Sequence, residues 1–241
     1  MLNPDKSEAL VVGTANQLCV TDSSASSVSV AGVDLPVAED MKVLGIVLDR
    51  RLTFHKHVSI VVRSCNYHAQ GIRHIRHLLT TELAQTLACS LILSRIDYCN
   101  DVLHGAPTGS IQKLHQSQNN AARIVLQGRT LNKPLLHQLH WLPVQQRIMY
   151  KLAVLTYKVR STSTPVYLHR RIAERACSRT LRSATIPLLD KPLTDFSERA
   201  FRFSAPTVWN SLPQTVLISD SLSVFKSRLK TFLFNQTFSE H

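Results

Sequence analysis

The 241-residue chain lacks the sequence signatures of several large protein classes. It has no apolar run long enough to cross a bilayer, and no signal-peptide core follows Met1. A glycine-rich phosphate loop, a GxSxG nucleophile motif and an HExxH zinc motif are also missing. We therefore expect no membrane partner and no self-contained active site, and we expect an intracellular protein, nuclear or cytoplasmic.

Cysteine and histidine are present but are not arranged as metal ligands or as a disulfide framework. The five cysteines lie far apart and include no CxxC pair, so neither a zinc ribbon nor paired disulfides are indicated. Cys65 and His68 have CxxH spacing, and His137 and His140 lie three residues apart, but no second ligand pair accompanies either. We interpret Cys65 as a core residue of a helix and expect no metal and no cofactor.

Acidic residues are few relative to basic ones. Lys and Arg total 28 against 16 Asp and Glu, which gives a net charge of +12, and the excess is spread along the chain. Such a balance favours a polyanionic partner, most often nucleic acid, because phosphate neutralisation releases counterions. A basic scaffold without such a partner is the alternative.

The hydrophobic pattern predicts an α+β fold that is mostly α. Residues 1–50 contain short β-prone runs at 8–12, 17–20 and 42–48 and a hairpin formed by 27–30 and 33–37. Residues 51–160 have helical periodicity and short links, which indicates an antiparallel helical bundle. Residues 161–241 read as an Arg-rich linker, with a short helix near 166–175 and an extended stretch near 184–189, followed by a small helical region with an aromatic cluster.

Residues 80–103 predict one long core helix, because apolar side chains occupy nearly every face. Thr80 or Thr81 can cap its start. Arg95 alone interrupts the apolar stripe. A buried guanidinium needs carboxylates, carbonyls or phosphates, so we expect Arg95 to form an ion pair inside the core or, alternatively, to contact phosphate.

Basic residues recur on the polar face of the first long helix, opposite its apolar stripe. They are Lys56, Arg63, Arg73 and Arg76. A second concentration of positive charge, which includes Arg170 and Arg171, lies in the linker. Two interpretations of the linker remain as alternatives: a solvated loop and a phosphate-binding segment.

Several separated motifs carry a family resemblance when they are taken in order. They are LNPDKSE at 2–8, LGIVLD at 44–49, LTFHKHV at 52–58, SRIDYCN at 94–100, LHWLPV at 139–144 with Arg147-Ile148, APTVWNSLP at 205–213 and FKSRLKT at 225–231. This series resembles the reverse transcriptase of non-LTR (LINE, jockey-like) retrotransposons, from the end of the palm through the thumb to the carboxy-terminal region. The resemblance covers nearly the whole chain.

The resemblance implies that residues 1–50 are a remnant of the palm sheet and that residues 51–160 are a thumb-like bundle, which holds the template-primer duplex. Lys6 matches an accessory palm lysine thought to assist proton transfer to pyrophosphate, and Leu44 and Gly45 match the turn that grips the primer end. The intact family enzyme is an RNA-directed DNA polymerase that uses Mg²⁺ held by aspartates. Those aspartates are not in this sequence, so we expect no polymerisation by this chain alone.

The function favoured by these patterns is sequence-tolerant binding of RNA or an RNA·DNA duplex. The candidate contacts are Leu44, Gly45, Lys56, Arg63, Arg73, Arg76, Arg95, Arg170 and Arg171. A protein encoded by an intact element is a possible second partner. The alternatives are a helical protein-interaction module and a relic without function.

Overall fold

A computed structural model describes residues 7–22, 27–30, 32–128, 132–175, 188–192 and 200–238. This part of the chain is mostly helical and has two antiparallel sheets of two strands each, which confirms the predicted fold class. The helices are α1 Ala15–Asp22, α2 His55–Ile75, α3 Thr81–Ala88, α4 Ser94–Asp97, α5 Thr108–Leu126, α6 Asn132–Gln138, α7 Val144–Thr162, α8 Val166–His169, α9 Phe201–Asn210, α10 Gln214–Leu217 and α11 Leu222–Phe238. The strands are β1 Ser27–Val30, β2 Val33–Pro36, β3 Asp40–Val43 and β4 Ile46–Asp49. None of these helices is long and apolar enough to cross a membrane.

The strands of the amino-terminal region differ in part from the prediction. The hairpin of β1 and β2 is confirmed. The predicted strand at 17–20 is wrong, because these residues lie in α1. Thr14 and Gln17 form a reciprocal capping box there: Gln17 Oε1 accepts from the Thr14 N–H at 3.0 Å, and Thr14 Oγ1 accepts from the Gln17 N–H at 3.4 Å.

The predicted single strand at 42–48 is also wrong, because the chain reverses within it. Leu44 and Gly45 both have positive φ, at 48° and 86°, and they form the two-residue turn between β3 and β4. Two successive positive φ angles suit the twist of a tight hairpin. The β-prone residues on either side of the turn therefore pair with each other.

The start of α2 is fixed by the carboxylate of Asp49. It accepts hydrogen bonds from the backbone N–H groups of Thr53, at 2.9 Å, and Phe54, at 2.7 Å. Burial alone would raise the pKa of Asp49, but these backbone hydrogen bonds outweigh it and hold the pKa below its ordinary value. The sheet region is thereby joined to the first long helix.

The predicted core helix at 80–103 is shorter and less regular than expected. Its start is confirmed, since the Thr80 side chain accepts from the Leu83 N–H at 3.3 Å. The chain then passes through a π-helical turn at Cys89–Leu93 and ends its α-helical course with α4. Cys99 has a φ of 49°, and a 3₁₀ turn follows at Asn100–Leu103.

The prediction that Arg95 is buried is wrong. Its side chain is exposed, and its Nε donates to the Leu91 carbonyl at 3.2 Å. A π turn contains one more residue than an α turn, so it rotates the following side chains by about 100° around the helix axis. This rotation moves Arg95 away from the core.

The first three helical segments alternate in direction, as an antiparallel bundle requires, and α2 and α5 therefore run parallel. His55 Nδ1 lies 2.8 Å from Ser110 Oγ near the starts of α2 and α5. Just beyond the end of α2, Arg76 contacts the carbonyl oxygens of Ile124 and Val125 at the end of α5. The helical segment between them, from α3 to α4, packs on both α2 and α5. In α2, Cys65 Sγ lies 3.8 Å from the Ile92 carbonyl oxygen of this segment.

Helix α7 contributes to two hydrophobic cores. Its first turns, at Val144 and Ile148, pack in the core formed with α2, α3 and α5. Its later turns pack with α9, α10 and α11. In this second core Phe225 stacks on Tyr157, with ring centroids 4.4 Å apart, and on the fully buried Trp209, at 5.7 Å. Of the predicted aromatic cluster, Val208, Trp209 and Leu212 are buried in this core and Phe201 packs against it, whereas Tyr157 and Phe225 come from outside the predicted set.

The linker contains less helix than predicted. Only Val166–His169 is helical near 166–175. Glu174 forms an isolated antiparallel bridge with Leu189, and residues 184–187 lie outside the described part of the chain.

Candidate nucleic-acid interface

The parallel helices α2 and α5 present exposed cations along the same side of the bundle. Arg63 and Arg73 come from α2, and Lys113 and Arg123 come from α5. The two residues of each helix are ten positions apart, which corresponds to about 15 Å along an α-helix. The four side chains thus form two cross-helix pairs, which we call the basic face.

One pair lies in a surface groove of about 600 Å³ near the beginnings of the helices. Arg63 and Lys113 line this groove together with Asn66, Tyr67 and Gln70. Tyr67 is 74% exposed and packs edge-on against the neighbouring His68 ring. An exposed aromatic ring between cations offers a surface on which a base can stack.

The other pair lies in a second groove, of about 480 Å³, toward the ends of the helices. Arg73 and Arg123 line it with Arg76, His77 and Asn120. The Nη2 of Arg73 donates to Asn120 Oδ1 at 3.0 Å, so its guanidinium is positioned across the two helices. Arg73 is exposed, and its other guanidinium N–H groups have no partner in the part of the chain that the structure describes.

No carboxylate lies on either helix of the basic face. The sequence has no Asp or Glu between Asp49 and Glu82, and none between Asp101 and Glu174. Within α2 and α5, therefore, the positive charge is not neutralised by acids of the same helix. This gap between acids, combined with the pairing of the two helices, is the signal that would have identified Lys113 and Arg123, which sequence reasoning missed.

The guanidinium of Arg76 is used for hydrogen bonds within the fold. Its Nη1 donates to the Leu79 carbonyl at 2.7 Å, and its Nε and Nη2 donate to the carbonyls at the end of α5, of which Val125 is the closest at 2.7 Å. Helix ends leave carbonyl groups without intrahelical partners. Arg76 satisfies these groups, and we exclude it from the basic face.

Three other predicted contacts gather near the β3–β4 turn. Leu44 is 84% exposed, and its carbonyl accepts from the Tyr98 hydroxyl at 2.8 Å. Gly45 and Arg95 line a shallow concavity with Tyr98. A fourth, Lys56, lies away from this turn and forms an ion pair with Asp40 at the start of β3, so part of its charge is compensated. These residues do not line either groove of the basic face.

The remaining predicted contacts lie elsewhere. Arg170 and Arg171 are exposed and follow α8, which packs on α7. Lys6 lies outside the described residues. The basic face therefore retains two of the predicted residues, Arg63 and Arg73.

The cysteine and histidine pairs noted in the sequence have packing roles. Cys65 is 1% exposed, and burial raises the pKa of its thiol to about 11, which keeps it protonated at neutral pH. This confirms that it is a core cysteine. His137 and His140 both pack on Phe234, with ring centroids 5.2 and 5.5 Å away. In the part of the chain that the structure describes, no three His, Cys, Asp or Glu side chains are grouped to hold a metal.

No protein-family model matches the chain, and neither a curated protein nor a solved structure matches it. The resemblance to non-LTR reverse transcriptases stays a prediction from the spaced motifs.

Proposed function

We propose that this protein binds RNA or an RNA·DNA duplex, with little sequence preference, through the basic face of α2 and α5. The observation that carries this proposal is the alignment of two cross-helix cation pairs on helices that contain no acid. Lys and Arg side chains that are not internally neutralised gain the most from phosphate contacts, because each contact releases condensed counterions. Contacts to phosphates carry no sequence information by themselves.

Tyr67 adds a contact that does not depend on base identity. Its ring is exposed and lines the same groove as Arg63 and Lys113, where a strand held by its phosphates can place a base on it. Every base has a flat π face, so stacking is tolerant of sequence. The combination suits a strand with accessible bases as well as a duplex end.

From the motif resemblance we propose that the chain corresponds to the end of the palm, the thumb and the carboxy-terminal region of a retrotransposon reverse transcriptase. The aspartates that would hold Mg²⁺ by this resemblance are not in this sequence. We therefore propose no polymerase step for this chain on its own. As a second partner we propose a protein encoded by an intact element.

We place the protein inside the cell, in the nucleus or cytoplasm. The support is that Cys19, Cys65, Cys89 and Cys99 are free thiols. Unpaired cysteines are typical of a reducing compartment.

The test is a fluorescence-anisotropy titration of the full chain with a labelled RNA·DNA hybrid, a single-stranded RNA and a DNA duplex over a salt series. Four phosphate contacts predict a slope of log affinity against log salt of about −3. In the double variant Arg63→Gln, Lys113→Gln the magnitude of this slope should fall by about 1.5. Lys226→Gln, which removes an exposed cation of α11, is the matched control and should leave the slope unchanged.

An affinity that does not change with salt would overturn the proposal. A loss in the Lys226 control half as large as that in the double variant, the share of one of two removed charges, would show that only net charge matters. Self-association of the chain without any nucleic-acid shift would instead favour the helical interaction module.

A further inference from the structure

A cleft of about 780 Å³ lies on another side of the molecule, among α3, α4, α7 and α11. Its apolar wall includes Leu93, Leu139 and Trp141, and its polar groups include Arg147, Tyr150 and Lys230. This volume falls within the range of small-ligand sites, which are mostly apolar with a few polar groups. None of the residues of the basic face lines it.

The acid of the cleft is already engaged by cations. Arg147 and Asp97 form a two-pronged ion pair, in which Nε donates to Oδ1 at 2.7 Å and Nη2 donates to Oδ2. Lys151 Nζ donates to the Asp97 carbonyl oxygen at 2.7 Å and lies 3.8 Å from Asp101. The pair fixes the guanidinium in place and leaves its Nη1 group without a partner among the described residues.

Two further donors are unengaged within the described part of the chain. Lys230 is exposed at the rim and has neither an ion pair nor a hydrogen bond there. The Tyr150 hydroxyl also has no partner among those residues, and burial raises the pKa of this phenol, so it stays protonated and can donate. With Arg147 Nη1, these are three unengaged donors beside an acid that is already paired. Asn100 Oδ1, a buried acceptor with no partner among the described residues, also belongs to the lining.

We propose that this cleft binds a small organic anion, whose oxyanion is held by Arg147, Tyr150 and Lys230 and whose flat apolar body lies against Trp141 and the neighbouring leucines. Two cations and a hydroxyl donor, beside a carboxylate that is already paired, favour an anionic group. The apolar wall selects against a bare inorganic ion, which would leave that wall in contact with water. A nucleoside monophosphate and an aromatic carboxylate share this chemistry.

The experiment is isothermal titration calorimetry on the full chain with adenosine monophosphate, with benzoate and with inorganic phosphate. We expect saturable one-to-one binding of at least one of the two organic anions, and the stronger of the two identifies the type of ligand. Lys230→Gln should weaken this binding by about tenfold, the size expected for a hydrogen bond to a charged group. Tyr150→Phe, which keeps the ring, should weaken it by a smaller factor.

Lys226→Gln is the matched control, because Lys226 lies one turn from Lys230 on the same exposed helix but does not line the cleft. Its affinity should equal that of the unmodified chain. Cys89 lines the cleft and Cys19 does not, so bound ligand should slow alkylation of Cys89 and leave that of Cys19 unchanged.

Several results would overturn the proposal. They are no saturable binding of either organic anion, equal weakening in the Lys226 and Lys230 variants, inorganic phosphate binding as tightly as the organic anions, or no protection of Cys89. Loss of nucleic-acid binding would not bear on it, since the basic face and the cleft share no residue.

Discussion

Arg76 donates to the carbonyl oxygen of Val125 from both Nη2, at 2.7 Å, and Nε, at 3.2 Å. Arg76, which follows α2, thereby satisfies carbonyl groups at the end of α5, the parallel helix beside it. Arg73, almost one turn earlier, is exposed, and among the described residues its side chain donates a hydrogen bond only to Asn120. Two neighbouring arginines of similar sequence context therefore have different roles.

Replacing Arg76 should destabilise the fold more than replacing Arg73. Arg76→Gln leaves several carbonyl groups at the end of α5 and beside Leu79 without their charged donor, and we expect a loss of about 2–3 kcal/mol in the free energy of unfolding. Arg73→Gln should cost less than about 1 kcal/mol, because its contact is exposed. Urea denaturation followed by circular dichroism measures both. Equal losses would contradict the structural role of Arg76.

In RNA binding the order should be reversed: replacing Arg73 should have a larger effect than replacing Arg76. Arg73→Gln should weaken RNA binding and reduce the salt slope by about 0.7–0.9, the change expected for one phosphate contact. Arg76→Gln, measured where the variant is fully folded, should leave the slope unchanged. A lower slope in the Arg76 variant alone would move the interface away from the basic face.

Tyr67 provides a test of stacking that is separate from charge. Tyr67→Ala should weaken binding of single-stranded RNA by about tenfold, since stacking of one base contributes about 1–3 kcal/mol. Tyr67→Phe, which keeps the ring, should bind almost as the unmodified chain does. The salt slope should be the same in all three proteins, because no phosphate contact is lost. An unchanged affinity in the alanine variant would show that the ring does not touch a base.

Much of the helical part of the fold could be predicted from sequence, because α2, α5 and α7 have long apolar stripes that match the helical period. The missed features depend on local hydrogen bonds or on geometry between elements. The capping box of Thr14 and Gln17 converts a β-prone run into α1, and it competes with β propensity over only a few residues. The π turn at Cys89–Leu93 has no clear sequence signal, so the position of Arg95 could not be predicted.

The candidate interface could be predicted only in part, for a related reason. Periodicity indicates which side of one helix is polar, and this identified Arg63 and Arg73. It does not indicate which other helix lies beside that polar side. Lys113 and Arg123 belong to the basic face because α5 packs parallel to α2, and that packing is a property of the tertiary structure.

Stability should fall as the pH is lowered from about 7.5 to about 5.5. His57 is 5% exposed, and its Nδ1 is buried with no partner among the described residues. Burial lowers the pKa of His57, and it lowers the pKa of His104 and His115 as well, all from an ordinary value of 6.5. The unfolded chain therefore binds protons more readily in this range, so stability is complete above pH 6.5 and is lost as the pH falls below it.

Asp49 should not contribute to this change. Its pKa is lowered from 3.8, so its contribution to stability persists throughout this range and is lost only in more acidic solution. The measurement is the urea midpoint at the two pH values, compared between the unmodified chain and His57→Gln, which cannot titrate. A smaller change in the variant is expected. The same change in both proteins would assign the pH dependence to other groups.

Leu44 lies in the β3–β4 turn, and a substitution there can test its structural role and its predicted binding role separately. Its φ of 48° is unfavourable because the Cβ crowds the backbone in this region, while its side chain is 84% exposed. Leu44→Gly should therefore stabilise the protein, by about 0.5–1 kcal/mol, because glycine adopts positive φ without steric cost. Val43→Gly, one residue earlier in β3, is the control and should destabilise it, because glycine weakens a strand.

The affinity of the Leu44→Gly variant for nucleic acid tests the predicted binding role. If Leu44 contacts nucleic acid, as its match to the primer-grip turn implies, Leu44→Gly should be more stable in urea and yet bind the RNA·DNA hybrid more weakly. If the basic face alone binds, the affinity and the salt slope should equal those of the unmodified chain. A loss of stability would contradict the turn geometry, since removal of an exposed side chain at positive φ leaves no buried contact to account for it.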